Sequence, residues 1–142
     1  MKRVLIVNRP GGAFGYITDS WINALRDKGH TVQRWDGLEE SWHNFEPDLY
    51  IGCSGHKQPI PASRSAKVAI HVNPYGPINI EGINEQDTTI RWVVNQEPDA
   101  VFGYGIEDDR LLWSHWTLKK GIKWVPMPVA GESRASTPRA GP

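Results

Sequence analysis

Cysteine is nearly absent: Cys53 is the only one in 142 residues. A lone thiol excludes an internal disulfide and any cysteine-rich zinc site. It suits a reducing compartment, so a cytoplasmic location is expected. Long apolar runs are missing too. The longest aliphatic stretch is Val4, Leu5, Ile6 and Val7, far short of the roughly 20 residues of a membrane span. No membrane span is expected, and because this run starts almost at the N-terminus, neither is a secretory leader. An excess of either charge is also lacking. Lys plus Arg and Asp plus Glu number 16 each, for a formal net charge of zero. A broad nucleic-acid surface needs excess cations to displace counterions from phosphates, so nucleic acid is not an expected partner. A small basic patch stays open. Near-zero charge gives little protection against association, which leaves a homo-oligomer open. Neither paired histidines at helical spacing nor a His/Asp cluster occurs, so no metal or cofactor is expected.

What remains is an ordinary globular composition, 39% hydrophobic and 23% charged. A single domain of this size buries roughly two-thirds of its unfolded surface and needs no staple to fold. Seven tryptophans are the compositional oddity. They are read as packing anchors, with some free for a partner or a sugar ring. Short apolar runs at residues 3–8, 31–35, 49–52, 67–72, 100–103 and 123–125 predict six strands. Between them, helical spacing predicts helices over 16–28, where Ile17, Trp21, Ala24 and Leu25 share a face, over 84–95, where Ile83, Ile90 and Val94 do, and over 106–120. One or two helical turns fit 38–45. Gly29 and Gly121 stand where helix C-caps belong. The alternation predicts an α/β fold: a Rossmann-like open sheet of about six mainly parallel strands with helices on both faces. It fills a domain over 1–129. Residues 130–142 have no apolar periodicity and read as a linker or disordered tail. No internal repeat is apparent.

In such sheets ligands bind beyond the carboxyl ends of the strands, at a topological switch point. Those ends fall at 8–15, 36–37, 53–56, 73–77 and 104–105, and the loops expected to hold a small ligand are 9–15, 53–56 and 73–77. The first offers Gly11, Gly12 and Gly15 as ligand-binding positions, since glycines let backbone N–H groups approach an anion at a helix N-terminus. They answer equally to a plain strand-to-helix turn. The dinucleotide pattern Gly-x-Gly-x-x-Gly maps onto Pro10, Gly12 and Gly15, so its first glycine is replaced by a proline that has no N–H, while Asp36 at the end of the second strand stands about where a ribose-binding acid would. Ser54 and Asn73 are candidate ligand contacts in the second and third loops. His56 is the candidate catalytic base, because an imidazole can exchange a proton near neutral pH. His71, inside a strand, reads as a packed core histidine, and Cys53 as a buried structural thiol.

Four stretches in order resemble the N-terminal domain of GT-B glycosyltransferases, particularly the CgeB-like group. They are the first strand with Gly11 and Gly12; Leu25 with Lys28, Gly29, His30, Thr31 and Val32; Glu46, Pro47 and Asp48 opening a strand; and Pro98 with Asp99, then a helix, then residues 121–128. The resemblance spans roughly 1–129. It implies the acceptor-side half of a protein that transfers sugar from a nucleotide sugar. That half would be inactive alone, because a GT-B enzyme works in a cleft between two domains. It makes a nucleotide sugar or an acceptor the expected ligand. The alternative is a stand-alone module binding a nucleotide, a sugar phosphate or a protein partner at the same edge. A dinucleotide-dependent fragment is the third reading.

Overall fold

The structure is a computed structural model that describes residues 1–9, 11–35, 45–61, 65–72, 78–79, 82–104 and 107–127. Six strands form one parallel sheet: β1 (Arg3–Val7), β2 (Thr31–Trp35), β3 (Leu49–Cys53), β4 (Lys67–Val72), β7 (Ala100–Tyr104) and β8 (Lys123–Met127). Their order is β2-β1-β3-β4-β7-β8. Successive strands step leftward once, from β1 to β2, and rightward afterwards. The switch point therefore lies between β1 and β3. The open α/β sheet matches the sequence expectation, and strand bounds agree within two residues. Asp36, the turns at 38–44 and the tail 130–142 lie outside the described residues.

The strands are apolar on both faces because both are covered. On one face α1 (Gly12–Asp27) sets Ile22, Trp21 and Leu25 against Val4, Ile6, Val32 and Ile51. On the other, α2 (Thr88–Asn95) and α3 (Glu107–Lys120) supply Ile90, Val93, Trp113 and Trp116 to a larger core with Leu5, Val7, Tyr50, Ile70 and Val101. Three tryptophans are buried and three half-buried, and Trp113 stacks on Trp124 at 6.0 Å between ring centroids. They serve as packing anchors; Trp42 lies outside the described residues.

Helix details depart from the periodicity. α1 starts four residues before the expected Tyr16, because Gly11 and Gly12 complete the turn themselves at φ 85° and 69°. Its buried stripe runs through Thr18 and Ile22, while Ala24 faces solvent. α2 starts at Thr88 rather than 84, since Asp87 caps it by accepting from the Thr89 N–H at 2.7 Å. Ile83 belongs instead to a two-residue antiparallel pair, β5 (Ile78–Asn79) with β6 (Gly82–Ile83), too short to leave a period. Val94 is 41% exposed, and Val93 takes its place in the core. Gly29 and Gly121 end α1 and α3 at φ 91° and 73°, as their C-cap positions require.

Two strands share one short entry sequence. Glu46-Pro47-Asp48 and Glu97-Pro98-Asp99 open β3 and β7 with the same geometry. Each glutamate is left-handed, at φ 53° and 49°. Asp48 donates its N–H to the Arg3 carbonyl at 2.8 Å and accepts the Arg3 N–H on its carboxylate at 2.8 Å. Asp99 makes the same pair with Val68, both at 2.8 Å. On the far side, the Asp48 carbonyl accepts from Lys67 N–H at 3.0 Å, and the Asp99 carbonyl from Lys123 N–H at 3.2 Å.

Candidate functional site

Two loops leave the sheet at the switch point. β1 ends in Asn8 and Arg9, and the chain then turns through Gly11 and Gly12 into α1. β3 ends in Cys53, and the chain folds back through Gly55, His56, Lys57 and Gln58. Between them lies a cleft of about 460 Å³ lined by Asn8, Arg9, Gly11, Gly12, Gly55, His56, Lys57 and Gln58. That volume is ordinary for a small-molecule site.

Each wall is braced. Asn8 is buried, donates its N–H to the Trp35 carbonyl at 2.9 Å, and donates its side-chain amide to Thr18 Oγ1 at 3.2 Å. Arg34 reaches from β2 beneath the first turns of α1 and donates to the Gly15 carbonyl at 3.2 Å, Thr18 Oγ1 at 2.7 Å and Asp19 Oδ1 at 2.6 Å. The second wall is a tight turn. His56 N–H donates to the Cys53 carbonyl at 2.9 Å, Gln58 N–H to the His56 carbonyl at 2.8 Å, and Lys57 Nζ to the Ser54 carbonyl at 2.8 Å. From α2, Trp92 Nε1 donates to the Gln58 carbonyl at 3.3 Å, and Gln96 Oε1 accepts from Ile60 N–H at 2.7 Å. Both walls are thus held by bonds from within the chain.

Its electrostatics favour an anion. Among the described residues the lining carries Arg9 and Lys57 and no carboxylate. α1 has no side-chain N-cap and no acidic residue in its first turn, so its leading amides and dipole face this end uncompensated. A Cβ built on Gly11 or Gly12 meets nothing within 4 Å, so the backbone is open to close approach there.

Of the residues singled out from sequence, Gly11, Gly12 and His56 meet in this cleft. Gly15 is buried one turn along α1, where its N–H donates to the Gly11 carbonyl at 3.1 Å. Ser54 is buried behind the second wall, its N–H donating to the His71 carbonyl at 2.9 Å. Asn73 lies outside the described residues. Asn8, Arg9 and Gly55 fall within the strand-end loops expected from sequence without having been singled out, while Lys57 and Gln58 were missed. Asn8 carried a signal: a polar residue closing a run of four aliphatic ones at a strand end.

The buried groups behind the site are quiet. Burial pushes the Cys53 thiol up to about 12, against a smaller opposing pull from Arg34. Burial lowers His71 to about 4; its ring packs 5.1 Å from Trp21 and 5.3 Å from Phe102 between centroids. His30 accepts the Lys2 N–H at 2.9 Å on Nδ1, a structural contact at the opposite edge. A second hollow, about 270 Å³ beside α2, holds Glu85 and Lys120. Those two pair at 2.8 Å, and with Trp116 Nε1 the bond to Lys120 holds the Glu85 carboxyl below its usual range. Among the described residues no three His, Cys, Asp or Glu side chains are grouped to hold a metal ion, and no helix is long and apolar enough to cross a membrane.

Fold and cleft together define the class: an open-sheet α/β protein with a polar, cationic hollow at its topological switch point. No family model, curated protein or solved structure matches the chain.

Proposed function

We propose that the chain binds a phosphate-bearing small molecule in the β1/β3 cleft, as the ligand-binding, acceptor-side half of a glycosyltransferase-like protein. The observation that carries the binding is the lining itself: two cations and two left-handed glycines beside an uncapped helix start, with no carboxylate among the described lining residues. Such a surface stabilises a dianion through backbone N–H groups and charge-assisted bonds. The glycosyltransferase part is supported by the resemblance of the four sequence stretches. In that role His56 would take the proton from an acceptor hydroxyl. Sugar transfer would need a second domain to orient the donor and exclude water, so this chain alone should not turn over.

The test is titration calorimetry with inorganic phosphate on wild type, Arg9→Ala, Lys57→Ala and His56→Ala, each checked by circular dichroism. Saturable binding that weakens with added salt and falls at least several-fold in both cation variants is expected. Unchanged affinity in a folded Arg9→Ala/Lys57→Ala double variant refutes the binding site. Sugar transfer from a nucleotide sugar by the purified chain refutes its inactivity alone, and loss of that transfer in His56→Ala would then support the base.

A further inference from the structure

We infer that the part of the ligand held in the β1/β3 cleft is a phosphorylated sugar or polyol, not a flavin, nicotinamide or purine ring. This rests on the anion-binding reading above and sharpens it. An aromatic cofactor ring is held by burying its two faces against aliphatic or aromatic side chains. Among the described residues lining the cleft none is aliphatic and His56 alone carries a ring, so they offer at most one such face. What the walls offer is a division of labour. Gly11 and Gly12 are open to a phosphate, with Arg9 on the same wall. The facing wall presents His56 and Gln58, side chains that both donate and accept hydrogen bonds, as hydroxyl groups require. The backbone of Gln58 is committed, its N–H to His56 and its carbonyl to Trp92. Its share of recognition therefore falls to the side-chain amide, on a backbone held from both sides. A ring of hydroxyls satisfies such a surface, whereas an apolar ring face would leave its polar groups unpaired.

The experiment compares inorganic phosphate, glucose 1-phosphate, ribose 5-phosphate, UMP, flavin mononucleotide and NAD by titration calorimetry on the full chain. At least one sugar phosphate should bind tenfold or more tighter than inorganic phosphate. Flavin mononucleotide and NAD should not exceed the better sugar phosphate. Gln58→Ala should erase most of that preference while leaving phosphate affinity within about twofold; Gln58→Glu, folded by circular dichroism, should weaken every anion. Tighter binding of flavin mononucleotide or NAD than of both sugar phosphates overturns the inference and leaves the anion site standing. So does equal binding of inorganic phosphate and both sugar phosphates. Binding of none of the six overturns both readings.

Discussion

His71 makes stability depend on pH in a window that can be worked out in advance. The side chain is 1% exposed, on the face covered by α1, between Trp21 and Phe102 and across from Cys53 on β3. In the unfolded chain its imidazole takes a proton below pH 6.5; in the folded chain burial delays this to about 4. Between those values the unfolded state binds more protons, so stability falls as the pH falls. It is complete above 6.5 and its loss is complete below 4. At about 1.4 kcal/mol per pH unit, the drop from 6.5 to about 4 sums to about 3 kcal/mol. That is a large share of the 5–15 kcal/mol typical of a domain. Replacing His71 by Leu removes the titration and keeps an apolar filler. Urea unfolding of both proteins at pH 7, 6, 5 and 4, followed by tryptophan fluorescence, isolates the effect, because carboxylates and the other histidines cancel in the difference. The offset at pH 7 reports packing alone. Wild type should then lose about 3 kcal/mol relative to His71→Leu by pH 4. Stability curves that stay parallel across the window would refute a neutral, desolvated imidazole.

Three further outcomes are expected. Gly103→Ala should cost about 1–3 kcal/mol, since its Cβ would stand 2.6 Å from the Val72 carbonyl oxygen, whereas Gly52→Ala meets the Ile60 Cδ1 tip at 3.2 Å and should cost less; equal thermal shifts would contradict this. With its thiol at about 12 and no exposure, Cys53 should react with iodoacetamide only as fast as the protein unfolds, and rapid alkylation of the native chain at pH 8 would defeat this. Arg34→Met should cost about 1–3 kcal/mol, because it strips the Gly15 carbonyl and Thr18 of a charged donor. Asp19→Asn, at a half-exposed carboxylate, should cost under about 1 kcal/mol, and urea titrations that reverse the order would show that Arg34 acts only through its ion pair.

Much of the fold was readable because buried parallel strands announce themselves. Val4, Leu5, Ile6 and Val7 can sit only where both faces are covered, and Gly29 and Gly121 mark where helices must stop. The two-residue strands of β5 and β6 left no such mark, and Asp87 moved the start of α2 by competing with the apolar spacing. The site was half readable. Glycines at strand ends pointed to the carboxyl edge, and Gly11, Gly12 and His56 meet there. Which loops face each other depends on strand order, and that β3 rather than β2 stands on the far side of β1 is not written in any local pattern. Lys57 and Gln58 were passed over because the loop was taken to end at His56, while hydrogen bonds from Trp92 and Gln96, distant in sequence, hold it against the cleft.

The paired Glu-Pro-Asp starts of β3 and β7 solve a problem of register. A strand with one wet face is aligned by its alternation, since a slip of one residue would turn every apolar side chain outward. Strands apolar on both faces have no such guide: Val4 and Leu5 would both stay buried after a slip. Here each aspartate holds three strands at one level. Asp48 joins β1 and β4 across the foot of β3, and Asp99 joins β4 and β8 across the foot of β7. Four of the five strand junctions are thereby indexed from the amino-terminal edge. Alignment set at that edge travels up the ladders to the carboxyl edge, so the facing of Gly12 and His56 is decided by two carboxylates at the other end of the sheet.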